Sequence, residues 1–342
     1  MLKRYGDTGI ARFTPYQEVR RIFLARSPAE LAVKGLELGG QPRQPSADRS
    51  SEQFCPGFQE QKNQMIPSDL QRCVTHALSE DLGSGDLSAA ILPQGARLSA
   101  RIASREAGIL CGQPYAAAVF RHLSPDITIE WSVEEGAAIV PNQVICHLEG
   151  PAAPLLSGER TALNFLQLLS GTATQVRAHM EALLGSATKL LDTRKTLPGL
   201  RLAQKYAVRV AGGHNHRLGL FDGILIKENH IAACGGIAPA LSRARELAPA
   251  LTRVEVEVEN VRELEEALEG GADMILLDNF SVDALRDAVR RVNARTPLEA
   301  SGNISLLNIR AIAETGVDFL SVGAITRDVK SLDLSLRYAP HA

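Results

Sequence analysis

The sequence predicts an α/β fold whose second half is a parallel sheet that alternates with helices. Three observations lead to it. Short apolar runs typical of strands recur from residue 189 onward, amphipathic helical segments separate most of them, and 45% of the 342 residues are hydrophobic. Alternating strands and helices with short connections favour a parallel sheet covered by helices. We expect this sheet to curve into a barrel.

The first 64 residues do not fit this scheme and predict an N-terminal extension that is disordered or non-native. Residues 39–53 are rich in Gly, Pro, Ser and Gln, a composition that cannot bury enough apolar surface to become ordered. The segment also lacks the continuous apolar core of a secretory signal. Directly after Met65, Pro67 and Ser68 provide helix-start residues before an apolar helical stripe. We therefore expect the folded protein to begin near Met65.

Residues 66–150 predict a mixed α/β unit that precedes the parallel sheet. After the first helix, three segments alternate in the manner of half-buried strands: 98–106, 127–133 and 143–150. The glycines and prolines between them predict turns. A long helix follows over 157–184, where Ala162, Phe165, Leu166 and Leu169 form one apolar stripe.

The parallel sheet is predicted from six strands and the helices between them. The strands are expected at 189–193, 223–228, 253–259, 273–279, 297–301 and 318–323. The helices are expected at 237–248, 261–269, 281–293 and 305–315, with another opening near Pro198. A standard barrel of this type has eight strands. Either two strands escape detection or the barrel is incomplete.

Functional groups in parallel α/β barrels lie at the carboxyl ends of the strands. The predicted strand ends carry a ring of polar residues: Asp192, Thr193, Arg194, Lys195, Lys227, Glu228, Asn229, His230, Glu257, Glu259, Asp278, Asn279, Ser301, Gly302, Asn303 and Gly323. This ring holds more charge than a structural core tolerates, because unpaired buried charges are costly. The sequence therefore predicts a binding or catalytic site at this end of the sheet.

The strand at 253–259 alternates valine with glutamate. Its valines face one side and Glu255, Glu257 and Glu259 face the other. In a barrel the glutamates point inward, although an exposed antiparallel strand would show the same alternation. With Asp278, which ends an apolar strand, Glu257 suggests a paired carboxylate site for a hard cation such as Mg²⁺. Alternatively, both carboxylates pair with Lys195 and Lys227.

Cations gather in the same part of the chain and predict an anion-binding pocket. Four of the eight lysines fall in one 39-residue window, at positions 189, 195, 205 and 227. Arg194 offers a planar fork for a carboxylate or phosphate, and Lys195 a point charge. His216, Arg217 and Lys227 extend the set. The histidines lack the spacing of zinc ligands. We expect a substrate with several negative groups.

The last two strand ends, 299–305 and 321–326, predict a phosphate site. Glycine at positions 302 and 323 lets backbone N–H groups approach a phosphate, assisted by the following helix N-terminus. Each turn alone is a weak signal, because glycine turns are common in barrels. Their position at consecutive final strands matches the phosphate site of many such barrels.

Composition excludes several classes of function. The net charge of −2 argues against a general nucleic-acid or membrane-surface protein. No apolar stretch approaches the length of a transmembrane helix, about 18 residues or more. Five scattered cysteines without a CxxC pair favour reduced thiols and a cytoplasmic location over a disulfide framework.

Nine motifs in order resemble the quinolinate phosphoribosyltransferase family over about residues 66–340. They are EDLGSGDLS, GERTALNFLQLLSGTAT, DTRKTLPGLR, GGHNHRLGL, ILIKENHI, VEVEVEN, ILLDNF, EASGNISLLNI and SVGAIT. The resemblance implies a type II phosphoribosyltransferase fold, with an N-terminal α/β sandwich beside an incomplete barrel of about six to seven strands. The implied sandwich covers 65–172 together with the C-terminal 328–342, and the implied barrel covers 173–327.

The resemblance also implies an activity and a set of site residues. The family converts quinolinate and 5-phosphoribosyl-1-pyrophosphate (PRPP) to nicotinate mononucleotide, pyrophosphate and CO₂ with Mg²⁺. Arg194, His216 and Arg217 are implied to bind the carboxylates, and Arg160 to reach the site of a partner in a homodimer. The other implied contacts are Thr193, Lys195 and Lys227 for substrate, Glu257 and Asp278 for the ribose hydroxyls and Mg²⁺, and Ser301, Gly302, Asn303 and Gly323 for the 5-phosphate. Asn303 stands where some members carry glycine.

Three alternatives remain open at this stage. The same fold could serve another aromatic carboxylate, although three arginines favour a dicarboxylate. A barrel aldolase or sugar-phosphate isomerase would use Lys227 as a Schiff-base amine. A non-catalytic protein could retain the pocket and bind the anion without turnover.

Overall fold

The computed structural model describes residues 66–339; the predicted extension at 1–64 lies outside the described residues. The first part contains α1 (Leu70–Leu82), β1 (Arg97–Ser104), β2 (Gly108–Ile109), α2 (Gln113–Leu123), β3 (Thr128–Trp131), β4 (Ala138–Ile139), β5 (Val144–Pro151) and α3 (Ala152–Ala182). The second part contains β6 (Lys189–Leu191), α4 (Arg201–Val210), β7 (Ile224–Ile226), α5 (Glu228–Cys234), α6 (Ile237–Leu247), β8 (Val254–Val258), α7 (Val261–Glu269), β9 (Met274–Asp278), α8 (Val282–Val292), β10 (Leu298–Ser301), α9 (Ile309–Ala313), β11 (Phe319–Ser321), α10 (Ala324–Arg327) and β12 (Leu334–Ala339).

The first sheet has four strands in the order β12-β1-β5-β3, and its described pairs are antiparallel. Burial alternates along β1, where Ala100 and Ile102 are buried and Arg97 and Arg101 are exposed. One face therefore packs on the core and the other meets water, as expected for an antiparallel sheet. The three strands predicted over 98–150 are confirmed.

The second sheet is parallel and has six strands in the order β6-β11-β10-β9-β8-β7. All six predicted strands are present. Within residues 66–339 no ladder joins β6 to β7, so the sheet has an open seam. A single parallel bridge between Leu191 and His214 lies beside β6 at that seam. The predicted α/β class, with a second, separate sheet, is confirmed, and the sheet is not a closed barrel.

Helix α3 is one continuous helix of 31 residues. Eight of its buried apolar residues, between Leu155 and Val176, belong to the same hydrophobic core as β1 of the first sheet and α4 of the second part. At Gly171 it passes so close to the chain that an added Cβ would lie 2.1 Å from the carbonyl oxygen of Lys330. The helix runs through residue 172, where the first implied domain was expected to end; that boundary stays a prediction.

Several elements were not predicted from the sequence, and α2, α5 and β12 are the longest of them. Gly112 and Pro114 were interpreted as turn residues, but they begin α2, with glycine at the N-cap and proline in the first turn. Proline suits that position because the first helical N–H groups have no partner. Helix α5 follows β7 without a loop, and β12 pairs with β1. The partner of β12 lies more than 200 residues earlier in the chain, so no local sequence pattern reveals that β12 is a strand.

Within residues 66–339, no helix combines the length and apolarity needed to cross a membrane.

Candidate functional site

The predicted polar residues lie at the carboxyl ends of the parallel strands. On one face of β8 all three valines, Val254, Val256 and Val258, are buried in the core. On the other face exposure increases along the strand: Glu255 is buried, Glu257 is partly buried and Glu259 is exposed. The alternation predicted for this strand is present. We call the glutamate-bearing side of the sheet its inner face.

Lys227 and Glu257 form an ion pair across the ends of β7 and β8. Lys227 immediately follows β7 and precedes α5, and its backbone N–H donates to His230 Nδ1 at 3.0 Å. The Lys227 side chain is 41% exposed and the Glu257 side chain 12% exposed, so the pair lies at the mouth of the site. This contact corresponds to the carboxylate–lysine pairing that the sequence left open.

Asp278 begins a chain of polar contacts that leads to the glycine turn after β10. Asn279 donates from Nδ2 to Asp278 Oδ2 at 2.7 Å, and its Oδ1 accepts from Asn303 Nδ2 at 3.2 Å. Gly302 has a φ of +94°, and an added Cβ would lie 2.2 Å from Asn279 Oδ1. Only glycine fits this turn without displacing Asn279. The backbone N–H of Asn279 also donates to the carbonyl of Ser301 at 2.9 Å.

Gly323 lies against the motif that follows β6. An added Cβ at Gly323 would lie 2.8 Å from Lys195 Cδ and 3.5 Å from Thr193 Oγ1. Thr193 Oγ1 also accepts a hydrogen bond of 3.0 Å from the backbone N–H of Lys195. The structure therefore brings the loop of Thr193 and Lys195 against the final glycine turn, which lies more than 120 residues later in the sequence.

Arg194 and Arg217 interact electrostatically and make the site strongly cationic. Burial, followed by the positive charge of Arg194, lowers the pKa of Arg217, which remains far above neutrality for a guanidinium. Arg217 donates from Nη1 to the carbonyl of Gly223 at 2.9 Å. Arg194 is exposed, and no ion pair links its guanidinium to a described residue. The charges of Glu255 and Asp222 act on Arg217, but neither guanidinium forms an ion pair with a carboxylate of the described residues, which favours a bound anion.

Both ring nitrogens of His216 are engaged within the protein. Nδ1 accepts a hydrogen bond of 2.7 Å from the backbone N–H of Arg217, so the imidazole proton is on Nε2. Nε2 donates to Glu255 Oε2 at 3.0 Å. Burial is the largest single influence and lowers the pKa of His216, but the hydrogen bond to Glu255 and the negative charges of Glu299 and Glu255 together outweigh it and raise that pKa. Protonation of Nδ1, which would make the ring positively charged, requires loss of its hydrogen bond from the backbone N–H of Arg217.

Glu299, on the inner face of β10, is the deepest ionisable group beside His216. Its side chain is fully buried, its Oε2 lies 3.6 Å from His216 Nε2, and neither oxygen makes a hydrogen bond of good geometry within residues 66–339. Glu255 Oε1 is likewise buried without a partner. Burial and the charge of Glu255 raise the pKa of Glu299 to about 8. Burial and the neighbouring carboxylate therefore favour the protonated form of Glu299.

Two groups of carboxylates can be considered for a metal. His216 Nε2 and the oxygens of Glu255 and Glu299 lie within 4.8 Å of one another. A metal-binding imidazole normally donates its other N–H. Here Nδ1 accepts instead, so Nε2 keeps its proton, donates it to Glu255 and has no lone pair to offer a metal. Glu257 and Asp278, the predicted pair, occupy the same face of adjacent strands and offer the hard oxygen ligands that suit Mg²⁺.

Arg160 is separate from the other predicted residues. It is exposed on α3, and no hydrogen bond or ion pair connects it to them in the part of the chain that the structure describes. Glu299, Lys205 and Asn215 are site residues that were not predicted. A single charge inside an otherwise apolar segment was the available signal for Glu299, and membership in the lysine cluster at 189–227 was the signal for Lys205.

The fold and the site define a class: an α/β protein that binds a small, multiply charged anion at the carboxyl ends of a parallel sheet. Comparison with known proteins identifies the family. The family model described as quinolinate phosphoribosyl transferase, N-terminal domain, matches residues 86–170, and the corresponding C-terminal domain matches residues 172–337. The chain belongs to the quinolinate phosphoribosyltransferase family.

Individual relatives agree with that assignment. The chain is 42% identical over 267 residues to the probable nicotinate-nucleotide pyrophosphorylase [carboxylating] of Bacillus subtilis, covering 78% of this chain and 92% of the relative. It is 43% identical over 270 residues to the enzyme of that name from Mycobacterium leprae, covering 77% and 95%. The solved nicotinate-nucleotide pyrophosphorylase of Francisella tularensis matches with a TM-score of 0.77 and 47% identity, covering 80% and 98%.

Proposed function

We propose that this protein transfers the phosphoribosyl group of PRPP to quinolinate and releases nicotinate mononucleotide, pyrophosphate and CO₂, as a step of NAD biosynthesis. The observation that carries the proposal is the cationic site formed by Arg194 and Arg217 beside the Lys227–Glu257 pair and two glycine turns. Quinolinate is a dianion and PRPP a polyanion, so both need such a site inside a mildly acidic protein.

The roles of the chain's own residues follow from their chemistry. Arg194 and Arg217 bind the two carboxylates of quinolinate, since each guanidinium offers paired donors. His216 joins them only if it exchanges one of its two ring hydrogen bonds, and otherwise it fixes the position of Arg217. Thr193, Lys195 and Gly323 contact substrate together, and the turn at 301–303 binds the 5-phosphate through backbone N–H groups. Asn303 Nδ2 is already bonded to Asn279, so its backbone is the better donor.

The transfer step develops charge at two places. When pyrophosphate leaves, positive charge grows on the ribose, and the carboxylates of Glu257 and Asp278 stabilise that charge from fixed positions. Lys195 and Lys227 stabilise the departing negative charge. The quinolinate nitrogen bonds to the ribose carbon, and the resulting pyridinium accepts the electron pair that remains when the adjacent carboxylate leaves as CO₂. A proton then replaces the lost carboxylate.

Glu257 and Asp278 also suit Mg²⁺, partly through PRPP. Their carboxylates face the mouth of the site from adjacent strands, and their oxygens match the preference of a hard cation. When bound, Mg²⁺ neutralises charge on the pyrophosphate and makes it a better leaving group. The Lys227 ammonium, paired with Glu257, would share that task.

We further propose a cytoplasmic homodimer in which Arg160 reaches the neighbouring site. Arg160 is exposed and separate from the other site residues of its own chain, which supports a role across an interface. The implied division into a sandwich (65–172 with 328–342) and a barrel domain (173–327) belongs to the same proposal. The pairing of β12 with β1 supports the return of the C-terminus to the first sheet.

A direct assay tests the proposed function. The purified protein is incubated with quinolinate, PRPP and Mg²⁺, and nicotinate mononucleotide, pyrophosphate and CO₂ are measured. We expect the three products in equal amounts. Turnover of nicotinate but not quinolinate would refute the substrate, binding without pyrophosphate release would indicate a non-catalytic anion binder, and borohydride trapping of a substrate on Lys227 would favour a Schiff-base enzyme.

A further inference from the structure

Two lysines of the 189–227 group, Lys189 and Lys205, have no role in the proposed chemistry, and Lys205 is the most deeply buried of the four. Lys205 on α4 is 1% exposed and forms an ion pair with Asp192, which is fully buried. Asp192 directly follows β6 and precedes Thr193, Arg194 and Lys195. The pair thus joins helix α4 to the start of a loop that carries three proposed substrate contacts.

The same pair holds both backbone groups of His216. Asp192 Oδ1 accepts from the backbone N–H of His216 at 2.9 Å, and Lys205 Nζ donates to the carbonyl of His216 at 3.0 Å. Asn215 Nδ2 donates to Asp192 Oδ2 at 2.6 Å and to the carbonyl of Lys205 at 2.9 Å. The loop at 214–218 is therefore fixed to α4 immediately before Arg217.

Arg201 makes matching contacts one helical turn earlier. Residues four apart lie on the same face of a helix, and Arg201 and Lys205 have this spacing. Arg201 donates to Thr196 Oγ1 at 3.2 Å, to the carbonyl of Leu218 at 3.3 Å and to the carbonyl of Arg194 at 3.5 Å. We call Arg201, Lys205 and Asp192 the α4 brace, because together they bond the 192–196 loop and the 214–218 loop.

The brace opposes a repulsion that the site itself creates. Arg194 lies on the first loop and Arg217 on the second, and their like charges favour separation of the loops when no anion is bound. Burial is the main influence on the ion pair, raising the pKa of Asp192 and lowering that of Lys205, while each partner's charge acts against it. Because desolvation offsets much of the attraction, a buried ion pair adds little net stability. Its contribution is therefore geometric.

We propose that Lys205 and Arg201 are positioning residues, which hold the two loops at the separation that a two-carboxylate ligand requires. This inference rests on the proposed function for the identity of that ligand. The contacts of the brace involve the loops of Arg194, His216 and Arg217. Among the proposed PRPP contacts, Lys195 lies on one of these loops, whereas Glu257, Asp278 and Ser301 lie at strand ends outside the brace. Loss of the brace should therefore weaken binding of quinolinate more than binding of PRPP.

The test uses a double variant, Lys205→Met with Asp192→Asn, which removes both buried charges and leaves neither unpaired. Arg201→Ala is a second variant, and Arg209→Ala, an exposed position on the same helix, is the matched control. In the double variant and in Arg201→Ala we expect the Kd for quinolinate to rise about tenfold or more, because that is the effect of losing one well-placed charged contact. The Kd for PRPP should rise by a clearly smaller factor than the Kd for quinolinate, with Tm close to that of the unmodified protein.

Hydrogen–deuterium exchange of the ligand-free protein gives a readout that does not depend on activity. Peptides covering 192–197 and 214–219 should exchange faster in both brace variants than in the unmodified protein. In Arg209→Ala their exchange rates should not change. Unchanged exchange and unchanged quinolinate Kd would overturn the brace. Equal weakening of both ligands with a large fall in Tm, or failure of both variants to fold, would also overturn it and make these residues stabilising ones. If the unmodified protein binds no quinolinate, the proposed function fails, while the exchange measurement still decides the brace.

Discussion

Replacement of Glu299 by glutamine should alter how folding stability depends on pH. Glutamine keeps the shape of the protonated acid but cannot ionise. Glu299 is fully buried, its oxygens make no hydrogen bond of good geometry within residues 66–339, and burial together with Glu255 raises its pKa from 4.5 to about 8. The unfolded chain releases this proton near the lower value, whereas the native state keeps it until the higher one.

The size and sign of the effect follow from that difference. Between the two pKa values the native state binds one more proton than the unfolded state, so stability falls by about 1.4 kcal/mol for each pH unit of increase. Stability from this group is complete below the unfolded pKa and is lost as the pH rises to about 8. Across the whole window the loss is of the order of 5 kcal/mol. The glutamine variant should not lose this stability as the pH rises, because glutamine has no proton to release in this range.

Urea unfolding of both proteins, at about unit intervals between about pH 5 and pH 9, measures the effect directly. We expect the variant to gain stability relative to the unmodified protein up to about pH 8, with a constant difference above that. Glu246→Gln, an exposed position on α6, is the control and should show no such trend. Parallel curves for Glu299→Gln and the unmodified protein would mean that Glu299 is ionised in the native state.

Three further outcomes are expected. Gly171→Ala should destabilise the protein by about 1–3 kcal/mol, since its Cβ would lie 2.1 Å from the carbonyl oxygen of Lys330; an unchanged Tm would contradict this close approach. Arg160→Ala and Arg194→Ala, each inactive alone, should regain activity when subunits are mixed, because one hybrid site carries both arginines; continued inactivity of verified mixed dimers would exclude sharing. Chelation of Mg²⁺ should abolish pyrophosphate release until the metal is restored, and Glu257→Gln should raise the concentration required; full activity in chelator would remove the metal from the reaction.

Much of the fold could be predicted because the relevant patterns are local. Strand β8 alternates valine and glutamate, and the structure buries the valines in the core as expected. The six parallel strands are short apolar runs bounded by turns, which sequence periodicity detects. Strand β12 could not be found in this way, because its partner β1 lies at the other end of the described chain. Helix α2 was missed since Gly112 and Pro114 signal both a turn and a helix start.

The site was predictable in its residue types but not in its hydrogen-bond network. The polar residues at the strand ends were recognisable because the carboxyl ends of parallel strands meet at one edge. Lys205 was visible only as a member of a lysine cluster, and its burial against Asp192 depends on how α4 packs. Glu299 sits in a short apolar strand, two residues before Ser301 and so on the same face. Only the folded sheet places it beside Glu255 and His216.

The open seam between β6 and β7 has a consequence for how ligand preference can change in such a fold. The segment at the seam is attached to the sheet through His214, by two backbone hydrogen bonds of 2.9 and 3.1 Å to Leu190 and Asp192. Strands inside the sheet are held by ladders on both sides, so an insertion there shifts the register of its neighbours. A loop of different length after Arg217 would disturb no ladder. The seam is thus the place where directed evolution could exchange the acceptor acid while the phosphate turns stay intact.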